Sequence, residues 1–154
     1  MIMSKNTEIE RKFLVISEAF KAEATGKHEI MQGYLCRERE KTIRVRISDD
    51  KAYLTIKSST LREGIERFEW EREIEVNDAK ELLQLCQPPV IIKTRYIIPI
   101  MGSERKWEVD VFHGHKEGLV LAEIELGSAE ESFDKPAWLG EDVTGDPRYY
   151  NANM

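Results

Sequence analysis

Polar and apolar residues alternate along most of the chain with the period of two that is typical of β-strands. In residues 42–48, for example, Arg44 and Arg46 fall on one face and three aliphatic residues fall on the other. The pattern recurs without any internal sequence repeat and predicts eight strands. In chain order they cover residues 7–13, 29–37, 42–48, 51–57, 65–76, 90–98, 105–113 and 119–126.

The connections between these strands are short. Asp49 and Asp50 predict one hairpin turn, and Gly102 predicts another. Ser17 is placed to start a short helix that ends before Gly26. The connections therefore favour a mainly antiparallel sheet.

A second helix is predicted over residues 78–86, with Asn77 as its N-cap and Pro88-Pro89 at its end. Alternation stops after residue 128, where Trp138 and its neighbours suggest a short helix or turn. Further on, Asp146 is placed to cap a short helix that starts at Pro147. The aromatic residues in this tail favour packing against the body of the protein.

Eight antiparallel strands with few helices suggest an α+β fold built on an eight-stranded closed β-barrel, because closure removes exposed sheet edges. Two arrangements of the faces are open. In an ordinary small barrel the apolar face fills the interior and the charged face meets solvent. In the opposite arrangement the barrel is a tunnel with a charged lumen, and helices cover its apolar exterior.

The sorting of charge along the strands favours the charged lumen. A face built for solubility more often mixes positive and negative residues within one strand. Here cations share a strand, as with Arg44 and Arg46 or Lys93 and Arg95. Carboxylates share others, as with Glu123 and Glu125. Grouped cations suit phosphate oxygens, and grouped carboxylates suit Mg²⁺ or Mn²⁺.

Composition narrows the class of protein. With 154 residues, 41% hydrophobic and 34% charged, the chain fits a single domain over residues 1–154. A net charge of −6 argues against a nonspecific nucleic-acid or membrane-surface partner. Cys36 and Cys86 have no metal-site or CxxC spacing and indicate reduced thiols. We expect a cytoplasmic protein, and the sequence leaves a homodimer open.

The charged positions also form an ordered motif. Glu8, Glu10 and Lys12 make the sequence ExExK at the start of the chain. The set continues in order with Arg44, Arg46, Lys57, Arg67, Glu69, Glu71, Lys93, Arg95, Asp110, Glu123 and Glu125. This arrangement resembles the CYTH superfamily, the triphosphate tunnel metalloenzymes. The C-terminal segments Trp138-Leu139-Gly140 and Asp146-Pro147-Arg148-Tyr149-Tyr150-Asn151 also resemble its small bacterial members. The resemblance covers nearly the whole chain.

The resemblance implies a tunnel that binds a linear triphosphate. It implies phosphate contacts from Lys12, Arg44, Arg46, Lys57, Lys93 and Arg95, with Arg67 as a further substrate-binding residue. It implies metal ligation by Glu8, Glu10, Glu123 and Glu125, with Asp110, Glu69 and Glu71 as further ligands or outer carboxylates. These four ligands and Lys12 form the catalytic set, and Mg²⁺ or Mn²⁺ is the expected cofactor. Tyr34 is either a residue that helps close the tunnel or a packing residue.

Three functions follow as hypotheses. The first is a metal-dependent triphosphatase that acts on inorganic tripolyphosphate, with nucleoside or thiamine triphosphate as weaker substrates. The second is a class IV type adenylate cyclase, in which a ribose hydroxyl replaces water as the nucleophile. The third is a module that binds polyphosphate without turning it over. The products formed, cyclic nucleotide or phosphate, distinguish the first two.

Overall fold

The protein folds as a mostly antiparallel β-sheet with two helices. The structure is a computed structural model that describes residues 7–38, 40–62 and 66–154, with side chains omitted for 7, 8, 59–62 and 66. The elements in chain order are β1 (Thr7–Val15), α1 (Phe20–Glu23), β2 (Gly26–Arg37), β3 (Lys41–Ser48), β4 (Lys51–Arg62), β5 (Glu66–Ile74), α2 (Val76–Leu85), β6 (Gln87–Pro99), β7 (Lys106–His113), β8 (Val120–Glu125) and β9 (Leu139–Asp142). Neither helix among the described residues has the length and apolar character needed to cross a bilayer.

The strand order is β5-β4-β3-β2-β6-β7-β8-β1-β9, and β1 pairs with β5 as well. The extra pairing places Glu8 opposite Arg67 in an antiparallel register. The first strand therefore contacts three others, namely β5, β8 and β9.

Several boundaries differ from the sequence prediction. The fourth strand continues through Ser58 to Arg62, beyond its predicted end at residue 57. The segment at Leu139–Asp142 is a ninth strand rather than a helix or turn, and it pairs with β1. The first helix is a single turn, and Ala19 rather than Ser17 occupies its N-cap.

The second helix also starts earlier than predicted. Its N-cap is Glu75 instead of Asn77, and no side chain caps its first turn. The two prolines expected to end it belong to strand β6, which begins at Gln87. By contrast, Asp146 caps the turn Pro147–Tyr149 as predicted, accepting a hydrogen bond from the Arg148 amide at 3.0 Å.

The apolar face of the sheet forms the core. Under α1, Phe13, Phe20, Trp107 and Trp138 pack edge to face with ring centroids 5.5–6.0 Å apart, together with Tyr96 and Phe133. Under α2, Val45, Ala52 and Ala79 form a second cluster. A third cluster includes Met154 from the C-terminal tail. Helices and tail thus cover the apolar face, which leaves the charged face to line a cavity.

Gly33 allows α2 to lie close to the sheet. A Cβ atom at this position would lie 2.9 Å from both Cβ and Sγ of Cys86. The pairing of β2 with β6 shifts register between Gln32 and Tyr34, across this glycine, and the pairing with β3 shifts between Tyr34 and Cys36. The close approach of Cys86 explains why a larger residue does not fit at Gly33.

Candidate active site

A cavity of about 1040 Å³ lies along the charged face of the sheet. Successive strand residues point to opposite faces, so alternate side chains such as Arg44 and Arg46 reach this cavity together. The predicted site residues that line it are Glu10, Lys12, Tyr34, Arg44, Arg46, Lys57, Arg67, Glu69, Glu71, Arg95, Glu123 and Glu125. The charged face therefore encloses the site, as the charge sorting predicts.

Three other predicted residues stand apart from this lining. Lys93 and Asp110 are buried behind it, with exposed fractions of 0% and 2%. They are linked to the cavity lining through Arg95, which donates hydrogen bonds to Asp110. The side chain of Glu8 lies outside the described residues.

Arg44 lies deep in the wall formed by β3 and β4. Its Nη2 atom donates to the Thr55 hydroxyl at 3.3 Å and lies 3.7 Å from Glu71. The Thr55 hydroxyl in turn donates to Glu71 at 2.6 Å. The buried Nε atom of Arg44 has no hydrogen-bond partner among the described residues. A buried donor without a partner is costly, and an anionic oxygen in the cavity would satisfy it.

Two further cations face carboxylates across neighbouring strands. Lys57 Nζ lies 3.5 Å from Glu69, and Arg67 Nη2 lies 3.3 Å from Glu10. Both pairs line the cavity. These contacts hold the cations in place without removing them from the cavity surface.

The carboxylates of β1, β7 and β8 lie opposite one another. In the β1–β8 ladder Glu10 faces Glu125, and in the β7–β8 ladder Glu108 faces Glu123. Like charges directly opposite each other destabilise a sheet. A divalent cation between such carboxylates would offset this repulsion, because carboxylate oxygens are its preferred ligands.

Lys12 lies between these carboxylates and the C-terminal tail. Its ammonium is 3.3 Å from Glu123 and donates to the backbone oxygen of Tyr149 at 3.0 Å. Burial acts to lower the pKa of Lys12, but the charges of Glu123 and Glu10 outweigh it and raise that pKa. Burial likewise opposes ionisation of Glu123, yet Lys12 and other cations hold its pKa well below the ordinary value. Both groups are therefore charged at neutral pH.

Asp110 joins Lys93 and Arg95 behind the wall. Arg95 donates two hydrogen bonds, of 2.7 and 2.9 Å, to the two carboxylate oxygens of Asp110. Lys93 Nζ lies 2.7 Å from Asp110 Oδ2. The two cations lower the pKa of Asp110 despite its burial. Burial, together with nearby Arg95 and Arg46, lowers the pKa of Lys93 to about 7. Lys93 is therefore only partly protonated near neutral pH, and an anion in front of the trio would favour its charged form.

Comparison with known proteins assigns the chain to a family. A family model described as the CYTH domain matches residues 6–150. The chain belongs to the CYTH family. It is 49% identical over 148 residues to an inorganic triphosphatase of Acetivibrio thermocellus, covering 96% of this chain and 92% of that protein.

Two further CYTH relatives support the assignment. An inorganic triphosphatase of Nitrosomonas europaea is 36% identical over 148 residues, covering 94% of each chain. The crystal structure of the inorganic triphosphatase NE1496 matches with a TM-score of 0.65 and 32% identity. That match covers 99% of this chain and 94% of the other. The resemblance seen in the ExExK motif is thus confirmed at the level of the family.

The CYTH family implies a divalent metal, and the donors in the cavity suit one. Glu10, Glu123 and Glu125 offer only carboxylate oxygens, which hard cations such as Mg²⁺ prefer. Among the described side chains no group of three His, Cys, Asp or Glu residues is already gathered at metal-binding spacing. Asp110, predicted as a ligand or outer carboxylate, has both oxygens bonded to Arg95, which favours the outer role.

Some cavity residues of this CYTH domain were not predicted as site residues. Glu108 lines the cavity beside Arg95, at 3.5 Å, and alternation on β7 does place it on the charged face. Tyr150 and Asn151 also line the cavity, but they belong to the irregular tail, where no periodic signal exists. Tyr34 lines the cavity and is only 4% exposed, and its part in closing the tunnel stays a prediction.

Proposed function

We propose that this protein is a metal-dependent inorganic triphosphatase that converts tripolyphosphate to pyrophosphate and phosphate. Nucleoside and thiamine triphosphates would be weaker substrates. One observation carries the proposal: a single cavity holds a wall of cations from β3, β4 and β6 and a wall of carboxylates from β1, β7 and β8. The two curated relatives, both named inorganic triphosphatase, support it.

The cationic wall would bind the phosphate chain. Arg44 and Arg46 would offer planar N–H donors, and Lys57 would offer a compact charge. Arg67, Arg95 and Lys12 would extend the row along the cavity. Because these side chains stand on strands, their spacing would change little on binding. Catalysis would then come from positioning and charge rather than from a protein nucleophile.

The acidic wall would hold Mg²⁺ or Mn²⁺, with Glu8, Glu10, Glu123 and Glu125 as ligands. Such an ion, when bound, would offset charge on the triphosphate and make water at the terminal phosphorus more acidic. Glu69, Glu71 and Asp110 would act from further out by orienting cations. Lys12 would stand between the two walls, because it contacts Glu123 and faces the same cavity.

We also propose that the eight strands β1 to β8 close into a tunnel. The pairing of β1 with β5 supports closure, because β5 and β1 are the first and the last of these eight strands in the order of the sheet. The register of Glu8 with Arg67 lies within that pairing. A closed tunnel would keep the phosphate chain surrounded by charged side chains along its length.

We further propose that residues 1–154 form a single domain that works in the cytoplasm. Cys36 and Cys86 are free thiols, which is consistent with a reducing compartment. The domain would act on a small-molecule triphosphate, with no nucleic acid or membrane as a partner, and a homodimer remains open to a direct measurement of mass in solution.

The test is product analysis with purified protein. Phosphate release would be measured from tripolyphosphate, ATP and thiamine triphosphate, each with Mg²⁺, Mn²⁺ or no metal. The proposal expects metal-dependent release that is fastest with tripolyphosphate. Formation of cyclic AMP and pyrophosphate from ATP would instead identify an adenylate cyclase. Tight binding of tripolyphosphate without turnover would identify a binding module.

A further inference from the structure

Two side-chain amides, of the buried Gln32 and the partly buried Asn151, connect the cavity cation Arg46 to the C-terminal tail. Gln32, on β2, is 0% exposed. Its side-chain oxygen accepts a hydrogen bond from Arg46 Nε at 2.7 Å, and its Nε2 donates to Asn151 Oδ1 at 3.1 Å. The same Asn151 oxygen accepts from Lys93 Nζ at 2.9 Å. A continuous chain of hydrogen bonds therefore runs from Arg46 through Gln32 and Asn151 to Lys93.

We propose that Gln32 and Asn151 are positioning residues that aim Arg46 at the triphosphate, Gln32 directly and Asn151 by holding Gln32 and the buried Lys93 in place. The proposal rests on the triphosphatase function above and adds residues that the predicted phosphate and metal sets do not contain. Neither amide would contact the reacting atoms. Both would act through the cations that they hold.

The neutral charge of the two amides is central to the argument. A carboxylate can orient a cation, as Asp110 does for Arg95, but it also cancels the cation's charge. An amide oxygen accepts the same kind of hydrogen bond and carries no net charge. Arg46, which lines the cavity, is thus held in place while its charge stays available to phosphate oxygens.

The location of Asn151 makes the C-terminal tail part of the site. The tail is held by the Lys12 contact to the Tyr149 oxygen and by Met154, which is 5% exposed in the core. The Tyr150 ring lies 5.7 Å from both Lys12 Nζ and Arg67 Cζ. These contacts fix the short turn Asn151–Asn153 against the strands, so the tail delivers the Asn151 amide to a defined place.

The deciding variant is Asn151→Asp. Aspartate has the shape of asparagine and can accept both hydrogen bonds, so a merely structural role would be preserved. The proposal instead expects KM for tripolyphosphate to rise at least about tenfold with little change in kcat, because a negative charge at this cavity-lining position offsets the cationic charge that Arg46 presents to the anionic substrate. The melting temperature should stay near that of the wild type. Gln32→Glu should also raise KM, because its carboxylate offsets the charge of Arg46 and, lacking a donor, loses the hydrogen bond to Asn151 Oδ1.

Removal of the amides gives a second, independent test. Asn151→Leu and Gln32→Leu should each raise KM, and the double variant should be less impaired than the product of the two effects, because both belong to one chain. Arg148→Gln is the matched tail control. Arg148 is exposed and pairs with Asp146 within the tail. The KM of the Arg148→Gln variant should therefore equal that of the wild type.

The outcomes separate this proposal from the function on which it rests. If the wild type does not hydrolyse tripolyphosphate with any metal, the proposed triphosphatase function is wrong. The same variants would then be compared by their affinity for tripolyphosphate, measured by calorimetry. A wild-type enzyme that turns over while Asn151→Asp keeps the wild-type KM would overturn the positioning role alone. Multiplicative effects of the two leucine substitutions would overturn the connected chain.

Discussion

Glu10 and Glu125 lie directly opposite each other in the ladder between β1 and β8. Their carboxylates share the acidic wall of the cavity. Such a pair of like charges is unfavourable in an isolated sheet. A divalent cation bound between the carboxylates would remove this repulsion, and the stability of this wall would then depend on the occupancy of the proposed metal site.

Glu125→Gln should therefore weaken metal use. The amide keeps the size of the side chain but loses the negative charge that a hard cation prefers. The concentration of Mg²⁺ or Mn²⁺ that gives half-maximal tripolyphosphate hydrolysis should rise at least about tenfold. An activity titration with each metal measures this value.

Glu73→Gln is the control for that substitution. Glu73 continues the same row on β5 as Glu71 but is exposed and does not line the cavity. Its metal titration should match the wild type. If Glu125→Gln also titrates like the wild type, Glu125 is not a metal ligand.

Arg46→Ala should weaken tripolyphosphate binding by about 1–3 kcal/mol, because a charge-assisted contact to phosphate is lost. Arg46→Lys should lose part of that amount, since it keeps the charge but not the Nε contact to Gln32. Calorimetry without turnover, in metal-free buffer, measures both. Arg72→Ala is the control, because Arg72 stacks 4.7 Å from the Trp70 ring on the opposite face of β5. Equal affinity for Arg46→Ala and wild type would place phosphate elsewhere.

Asp142→Asn should destabilise the protein in a pH-dependent way. Burial opposes ionisation of Asp142, but hydrogen bonds from Thr144 and Arg11 lower its pKa overall. Because the folded-state pKa lies below the unfolded value, this stabilisation is present above about pH 4 and is lost as pH falls through the folded value. The loss at pH 7 should be about 1 kcal/mol, since the Arg11 pair is partly exposed.

Urea unfolding at a series of pH values measures this difference. The stabilities of wild type and Asp142→Asn should converge as the solution is acidified below about pH 4. Asp134→Asn, at an exposed position, should show a much smaller difference at pH 7. A gap for Asp142→Asn that is constant with pH would mean that ionisation of Asp142 does not contribute to stability.

Gly33→Ala should destabilise the fold by about 1–3 kcal/mol, because the added methyl would collide with Cys86 and Leu83 of α2. Gly26→Ala is a matched control on the same strand, since nothing lies within 4 Å of a Cβ atom there. Urea unfolding of the two variants compares them directly. The prediction fails if both substitutions have the same effect on the free energy of unfolding.

The strands and their faces were predictable because alternation is a local property of the sequence. Arg44 and Arg46 share a face in any strand that contains them, and the cavity confirms that face. The ends of the strands were harder to predict. The extension of β4 to Arg62 and the short β9 depend on pairing with β5 and β1, and neither segment has a strong pattern of its own.

Partners between distant strands were not predictable from one sequence. The pairing of Asp110 with both Lys93 and Arg95 requires the register of β6 and β7. The contact of Asn151 with Gln32 joins residues 119 positions apart. The tail that carries Asn151 is irregular, so its position depends on tertiary contacts such as the burial of Met154.

Placement of the site on alternating strands imposes a parity rule on mutation of this chain. Deleting or inserting one residue within a strand turns the side chains on one side of the change to the opposite face. Such a change before Arg44 in β3 would direct both of its cavity arginines toward α2. Length changes are compatible with the site in turns such as that at Gly102, whose φ of 76° marks a reversal outside the ladders. Odd-numbered insertions should therefore be tolerated between strands and selected against within them.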